Sequence, residues 1–561
     1  MNSDTAKKNE SLLSRNSHHT RWSAPMHIPR GQAFDATVPH FYECSMGDAN
    51  YLEVWCYTDH MTYAPGDEVI FHTSTTAKEY SIEIIHDGFR PQSVYKVEVL
   101  PGSFHKTPED FYEKGCGWPE AHRWRIPDDQ ASGFYMVVSR VVDESGVERE
   151  HEHGFIVRPG SSNKRAKILL IAATSTWTAY NDWGGTNNYV GLHGETDTGL
   201  APRLHLHRPW TRGLIYVPEG APRKPHEYDT RPGYIPRNPS IEFAFTRGYS
   251  KWYASAGWGS FEFNFIFWAQ QNGYELDLAT QVDLHYRPQL LEGYPCVITT
   301  GHDEYWSLEM RQALDKYVEN GGNFARFGGN FCWQVRLEDE GLVQVSYKHT
   351  AHELDPVRET EQVHLLTTLW EDPKVGLPGA QSVGVNGMYG VYARVGGIAP
   401  RHCAGFTTYR SEHWALQGTD LCYGDVFGSE AHIFGYEVDG LDYIIEDGLP
   451  EPTYRDGALP GTEIIAMGLA GNSEQDHGHK GTVHFYGAFD DAVGIANIRY
   501  GEGHDRKEGS GKRGNGMIVA VPKGKGQIFC AGTCEWVNGL KLRDVHTEII
   551  TRNVLDRFTS M

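Results

Sequence analysis

From about Phe41 to Val157, apolar and polar positions alternate with period two and break at turn residues, as in YLEVWCYTDHMTYAPGDEVIFHTST, YSIEIIHDGF, VYKVEVLPG and GFYMVVSRVV. Successive side chains of a strand point to opposite faces, so this alternation predicts an antiparallel β-sandwich over residues 41–158, an immunoglobulin- or fibronectin-like layer pair. Residues 1–40, beginning MNSDTAKKNESLLSRNSHHTRW, lack that periodicity and read as a polar N-terminal extension. RPGSSNKRA (158–166) has the composition of a linker, and a domain boundary is expected there.

After the linker the pattern changes. KILLIAAT (167–174) is a continuous apolar run of the kind that parallel sheets bury on both faces. FEFNFIFWAQQN (261–272) suits an apolar helix closed by Gly273, YELDLAT a short strand, and CVITTG (296–301) another buried strand. Ser307 can cap a helix whose apolar residues Met310, Ala313, Leu314, Tyr317 and Val318 fall at i, i+3, i+4, i+7 and i+8 before Gly321 ends it. NFARFGG (323–329) returns as a strand. The order predicts a doubly wound, mostly parallel α/β domain over residues 166–561, with an insertion at about 191–255 that could wall a pocket. Further strands are expected at EAHIFGYEV, GTVHFYGAF and GMIVAVP, and HTEIITRNVLDRF closes the chain as a helix.

Composition narrows the partners. The 561 residues, 39% hydrophobic, suit two to four domains with ample cores. Fifty-one Lys and Arg against 73 Asp and Glu give a net charge of −22, which repels polyphosphate and anionic lipid. No nucleic-acid or membrane partner is therefore expected, and a small neutral substrate suits the field better. No run approaches the ~20 apolar residues that cross a bilayer. The N-terminus lacks a signal-peptide core, and the nine cysteines are odd in number with no C-x-x-C, so a reducing, cytoplasmic location is expected.

There is no G-x-S-x-G elbow, H-E-x-x-H, P-loop or strand-borne G-x-G-x-x-G. The informative segments are TSTWTAYNDWGGTNNY (174–189), TTGHDEYWS (299–307) and RFGGN (326–330), each beginning where a parallel strand is expected to end. In open α/β sheets such loops converge on one crevice, so Tyr180, Asn181, Tyr189, His302, Asp303, Glu304 and Asn330 are candidates for one site. The plainer alternative makes Trp177, Trp183, Trp306 and the tyrosines core packing, with Asp303 and Glu304 complementing the dipole of the following helix. His205 and His207, and likewise His151 and His153, stand at i, i+2 without a third ligand and read as surface histidines. Cys296 lies inside an apolar strand and reads as an inert thiol. Where a nucleophile would stand at the strand-end turn, the chain has Gly301-His302-Asp303, which favours activated water over a covalent acyl-enzyme.

TWTAYNDWGG, GHDEYWS followed by a helix, and FGGNFCWQVR resemble the C-terminal catalytic domain of the large subunit of N,N-dimethylformamidase and its relatives, over roughly residues 165–560. The resemblance implies a glutamine-amidotransferase-like α/β domain without the cysteine nucleophile. It further implies a mononuclear iron, Fe(III), on two tyrosinates and one glutamate: Tyr180, Tyr189 and Glu304. His302 and Asn330 are implied as neighbouring or substrate-contacting groups, and Glu437 of FGYEVDG as another site glutamate, so the catalytic set is His302, Glu437 and Asn330. A homo-oligomer, with a small accessory subunit as a further partner, belongs to the same expectation. Two phenolates and a carboxylate are hard donors whose three charges neutralise Fe(III).

The expected activity is hydrolysis of a small N-substituted, formamide-like amide to an acid and an amine. Two alternatives stand beside it: the same fold and metal acting on a urea or carbamate, and a non-catalytic binding protein with a degenerate domain.

Overall fold

The computed structural model describes residues 41–160, 166–189, 201–222, 239–390, 405–435, 437–471, 498 and 513–560. The polar extension 1–40, the expected strand GTVHFYGAF (481–489) and parts of the 191–255 insertion lie outside them. The chain divides into two compact units, one of Met1–Gly160, Trp177–Arg223 and Pro239–Ser260, the other of Ser161–Thr176, Lys224–Asn238 and Phe261–Met561.

In the first unit the alternating sequence folds into two sheets. Val54–Thr58, Glu68–Thr75 and Glu120–Arg125 form an antiparallel three-stranded sheet. Thr62–Tyr63, Glu148–Val157, Gly133–Val142, Glu79–His86 and Gln92–Pro101 form a five-stranded one, antiparallel except where the short Thr62–Tyr63 strand runs parallel to its neighbour. Inward residues of both sheets, Val54, Val69 and Phe71 from one and Ile82, Ile84, Val137 and Phe155 from the other, share one buried cluster, which is the sandwich core. The described parts of the insertion pack in this unit. Trp258 stacks on Phe134 with ring centroids 4.3 Å apart and donates its indole N–H to Asp87 at 2.7 Å.

The histidine pair His151 and His153 is buried, contrary to the surface placement expected from its spacing. Residues of the insertion cover that face of the strand. His151 accepts from the Cys56 backbone N–H at 3.3 Å through Nδ1, and its Nε2 lies 3.0 Å from the Trp210 carbonyl. His153 Nε2 accepts from the Thr58 N–H at 3.2 Å. His205 and His207 are half-buried, with His207 Nε2 2.8 Å from the Asp59 carbonyl.

The second unit is built on a nine-stranded sheet. Its first five strands in spatial order, Leu276–Thr280, Ile168–Ala172, Cys296–His302, Asn323–Gly329 and Gly526–Cys530, are parallel. The remaining four, Arg513–Lys523, Glu463–Gly471, Phe406–Thr408 and Val426–Phe427, continue it antiparallel. The sheet is therefore evenly mixed rather than mostly parallel. The cause is local: Lys523 pairs with Gly526 across a two-residue turn, and a tight hairpin can join only antiparallel strands, whereas parallel neighbours need a crossover. EAHIFGYEV does not form the expected strand. Its described residues are turns, and Val438 alone bridges to Thr533.

Helix Leu308–Glu319 follows its sequence signature: Ser307 Oγ accepts from the Met310 N–H at 3.2 Å, and Met310, Leu314 and Val318 are buried. Helix Glu262–Gln271 and the closing helix Val545–Ser560 also form where the periodicity places them. Among the described residues no helix is long and apolar enough to cross a membrane.

The buried histidines give the first unit an acid sensitivity. Desolvation lowers His151 from 6.5 to about 4, and His153 is pushed well below its ordinary value. The unfolded chain takes up the His151 proton near pH 6.5 and the folded chain only near 4, so the stability this residue contributes is complete above pH 6.5 and is lost as pH falls through 4, with His153 acting in the same direction. The loss for His151 is roughly 3 kcal/mol. The urea midpoint of the wild type should fall over that window, whereas His151→Gln should start lower and show a flatter pH dependence.

Candidate functional site

The loops that leave the carboxyl ends of three adjacent parallel strands meet in the second unit. Strands Cys296–His302 and Asn323–Gly329 run in register, with Gly301 opposite Gly328 and His302 opposite Gly329. Glycine is required here by close backbone approach. A Cβ on Gly329 would lie 2.5 Å from the Cys534 nitrogen and 2.9 Å from the Glu437 carbonyl oxygen. Without side chains in the way, the 531–535 loop after strand Gly526–Cys530 packs against both. Thr533 N–H donates to the Gly328 carbonyl at 3.0 Å, and Cys534 N–H to the Glu437 carbonyl at 3.0 Å.

Four of the expected site residues come together on this frame. His302 Nε2 lies 2.8 Å from Glu437 Oε2 and 3.2 Å from Glu304 Oε2. The Asn330 amide donates to Glu437 Oε2 at 2.7 Å and lies 3.1 Å from His302 Nε2. All four residues are buried. Glu304 is held at both ends of its residue: Trp333 Nε1–H donates to its Oε1 at 2.7 Å, and its own backbone N–H donates to Thr176 Oγ1 at 3.0 Å. Burial alone would strip the His302 proton, but the Glu437 charge, reinforced by Glu304, overrides it and raises the imidazole to about 10. His302 therefore holds a proton at neutral pH, and its Nε2–H donates to the carboxylates.

Asp303 makes a different set of contacts. It accepts from Trp306 Nε1–H at 2.7 Å and pairs with Arg326, whose NH1 donates to Asp439 at 2.5 Å. Asp439 in turn accepts the backbone N–H of Asn330 at 2.8 Å and of Phe331 at 3.2 Å, which holds Asn330 in the left-handed region at φ 64°. Arg326 and Asp439, which the sequence did not single out, thus fix the turn that aims Asn330.

The two tyrosines pair with each other in the first unit. Tyr189 O–H donates to the Tyr180 hydroxyl oxygen at 2.8 Å, their ring centroids are 4.7 Å apart, and Trp252 meets Tyr180 edge-on. Polar residues of the motif set this pairing. Asn187 Oδ1 accepts the Tyr189 N–H at 2.8 Å, and Asn188 donates to the Ala201 carbonyl at 2.6 Å. Asn181 braces the loop instead of joining the phenols, accepting from the Thr211 N–H at 2.9 Å.

One residue corrects the sequence argument outright. Cys534 stands in a strand-end loop and is fully buried, and its thiol lies with His302 and Glu437 so that one donor atom of each falls within 4.8 Å of the others. A cysteine therefore does occupy a strand-end turn. Burial, then the charges of Glu437 and Asp439, push this thiol well above its ordinary range, the opposite of what a nucleophilic cysteine needs. Cys296 is buried and its thiol is likewise pushed up, as expected of an inert residue.

A mixed α/β unit with a polar cluster at its strand ends, preceded by a β-sandwich, is the architecture against which likenesses can be weighed. The family described as N,N-dimethylformamidase beta subunit-like, C-terminal, matches residues 87–549, and the chain belongs to it. Similar proteins are the N,N-dimethylformamidase beta subunit of Alcaligenes sp, 25% identical over 373 residues that make up 60% of this chain and 44% of that protein, and the N,N-dimethylformamidase beta subunit of Paracoccus aminophilus, 27% identical over 238 residues, 40% of this chain and 29% of that one. The chain spans less than half the length of these relatives. Among solved structures the PmoD soluble domain from Methylocystis sp. covers 19% of this chain and 90% of its own at 12% identity, with a TM-score of 0.13, too low to bear on the fold.

Replacing Arg326 by Gln leaves Asp303 and Asp439 buried without their cation. The expected cost is about 3–5 kcal/mol, read as a lower urea midpoint. An unchanged midpoint would show that water reaches these carboxylates.

Proposed function

We propose that the protein is an iron-dependent amidohydrolase that cleaves a small, neutral, N-substituted amide to a carboxylic acid and an amine. The observation that carries this is the group of buried carboxylates at the strand ends: Glu304 and Glu437 meet on His302 Nε2, and Asp303 and Asp439 pair with Arg326 beside them. Carboxylates gathered in the interior are hard oxygen donors of the kind that hold a metal cation.

In this reading the ligands are Tyr180, Tyr189 and Glu304. Their fit to iron rests on donor chemistry: phenol oxygens paired 2.8 Å apart and a carboxylate are hard donors that suit Fe(III). When bound, iron supplies Lewis-acid polarisation of the amide carbonyl and a water acidic enough to attack it. The chain's own groups do the rest. Glu437 takes the proton of the attacking water, and the His302 Nε2–H is passed to the departing nitrogen. Asn330 donates to Glu437 and keeps its lone pairs aimed at the imidazole. Charge relief, not a thiol nucleophile, is the device, because the thiol in the cluster is held protonated.

Amides of the formamide class are the proposed substrates. Activity on ureas or carbamates with none on amides would move the scissile bond and leave the site unchanged. A homo-oligomer, a small accessory subunit and a cytoplasmic location belong to the same proposal.

Purified protein should carry iron with a visible tyrosinate absorption. Glu304→Gln should lose both while keeping the circular dichroism of the wild type. His302→Ala should keep iron yet lower turnover by about 10²–10⁴. A wild type that is colourless and free of iron, a Glu304→Gln protein with full iron, or an acyl-thioester trapped by mass spectrometry would each overturn the reading.

A further inference from the structure

The cluster around His302 contains a donor that the proposed reaction does not use. We propose that His302 Nε2, a Glu437 carboxylate oxygen and the Cys534 thiol form a second cation site, selective for a thiophilic divalent ion such as Zn²⁺ and distinct from the hard-oxygen iron set.

Four observations support it. The three donor atoms lie within 4.8 Å of one another and all three residues are buried. Ligands on a tetrahedral zinc stand about 3.4–3.7 Å apart, so closing the set needs shifts of only about 1 Å. The backbone already holds two of the donors in fixed register. Cys534 N–H donates to the Glu437 carbonyl at 3.0 Å, Val438 bridges to Thr533, and Asp439 N–H donates to the Gly532 carbonyl at 2.9 Å. Loop 531–535 is anchored in turn, since Thr533 Oγ1 donates to the Ile433 and Gly435 carbonyls at 2.6 and 2.9 Å. The outer contacts are also those a zinc site has. The Asn330 amide donates to Glu437 Oε2 at 2.7 Å and fixes the carboxylate. Among the described residues, finally, the Cys534 sulfur has no hydrogen-bond partner, although it is fully buried beside an imidazole and a carboxylate.

The donor types separate the two ions. Phenolate and carboxylate oxygens suit a hard trivalent ion, whereas imidazole and thiolate suit zinc. A thiolate, a carboxylate and a neutral imidazole bring two negative charges, which a divalent ion neutralises. As the metal binds, the Cys534 thiol proton and the His302 Nε2 proton both leave to solvent, so that the imidazole ligates in its neutral form. Resting on the function proposed above, zinc at this site would silence turnover, because it takes the nitrogen and the oxygen that move the reaction's protons.

Cobalt(II) alone is the probe. Titrating the purified full chain should give a near-ultraviolet thiolate-to-cobalt band that saturates at one equivalent per chain and is displaced by Zn²⁺. Cys534→Ser should abolish the band, and Glu437→Gln should weaken cobalt binding at least about tenfold. Cys422→Ser, which removes a thiol exposed at the surface, should leave it intact. Urea midpoints measured alongside show that each variant is folded. Glu304→Gln separates this inference from the iron reading: it should lose iron and keep the cobalt band. A wild type without the band, or a Cys534→Ser protein that retains it, overturns the site. If the band stands but zinc does not inhibit, the proposed proton path is wrong and the cation site remains.

Discussion

A guanidinium removed from water must find its counter-charges in the protein, and the strand ends of the second unit are arranged around one that does. Arg326 is fully buried in strand Asn323–Gly329 and reaches Asp303 on one side and Asp439 on the other. Each aspartate sits one or two residues from a site carboxylate, Asp303 beside Glu304 and Asp439 beyond Glu437. A single cation therefore ties together three segments that are distant in sequence. Asp439 passes the constraint on by accepting the backbone of the Asn330 turn. The desolvation cost of such a network is high, and the Coulombic return repays it only when every partner is in place. That all-or-none character is useful at a site whose donors must be held to a fraction of an ångström.

The second constraint is steric. Gly328 and Gly329 end their strand without side chains, and a Cβ on Gly328 would lie 2.8 Å from the Gly301 carbonyl oxygen. The close approach they permit lets the 531–535 loop and the Glu437 segment pair over the strand ends. Any side chain at Gly329 would push out the two backbones that carry Cys534 and Glu437. The FGGN motif is thus a space requirement as much as a turn signal.

This division explains what could be read from the chain beforehand. The amphipathic helix Leu308–Glu319 and the strands Ile168–Ala172, Cys296–His302 and Asn323–Gly329 were legible, because their periodicity is a local property. His302, Glu304 and Asn330 were legible as strand-end residues for the same reason. Glu437 was reached through the family resemblance alone and not from local pattern: it lies among turns where a strand was expected, and it is placed by pairing with a loop far along the chain. Cys534 escaped because its strand, Gly526–Cys530, must first be known to lie beside Asn323–Gly329. That neighbourhood is a property of sheet order, which no local pattern encodes. The antiparallel half of the sheet escaped likewise, since it turns on one tight hairpin at Gly524-Lys525. His151 and His153 were misplaced because their cover comes from Trp210, in a segment whose packing the spacing of the histidines does not report.

Carboxylates set the electrostatic character of the cluster. The His302 imidazole keeps its proton because the charges of Glu437 and Glu304 face it. A proton is then the cheapest cation available to the cluster, and a metal ion is the next. Whichever ion binds must displace or share that proton, so metal affinity and proton inventory are linked here. The same linkage accounts for the thiol. A protonated Cys534 adds no charge to an already negative cluster and can be tolerated, whereas a thiolate could not persist without a cation beside it. The arrangement thus holds a reserve donor silent at no electrostatic cost, and only an ion with an affinity for sulfur would bring it into play.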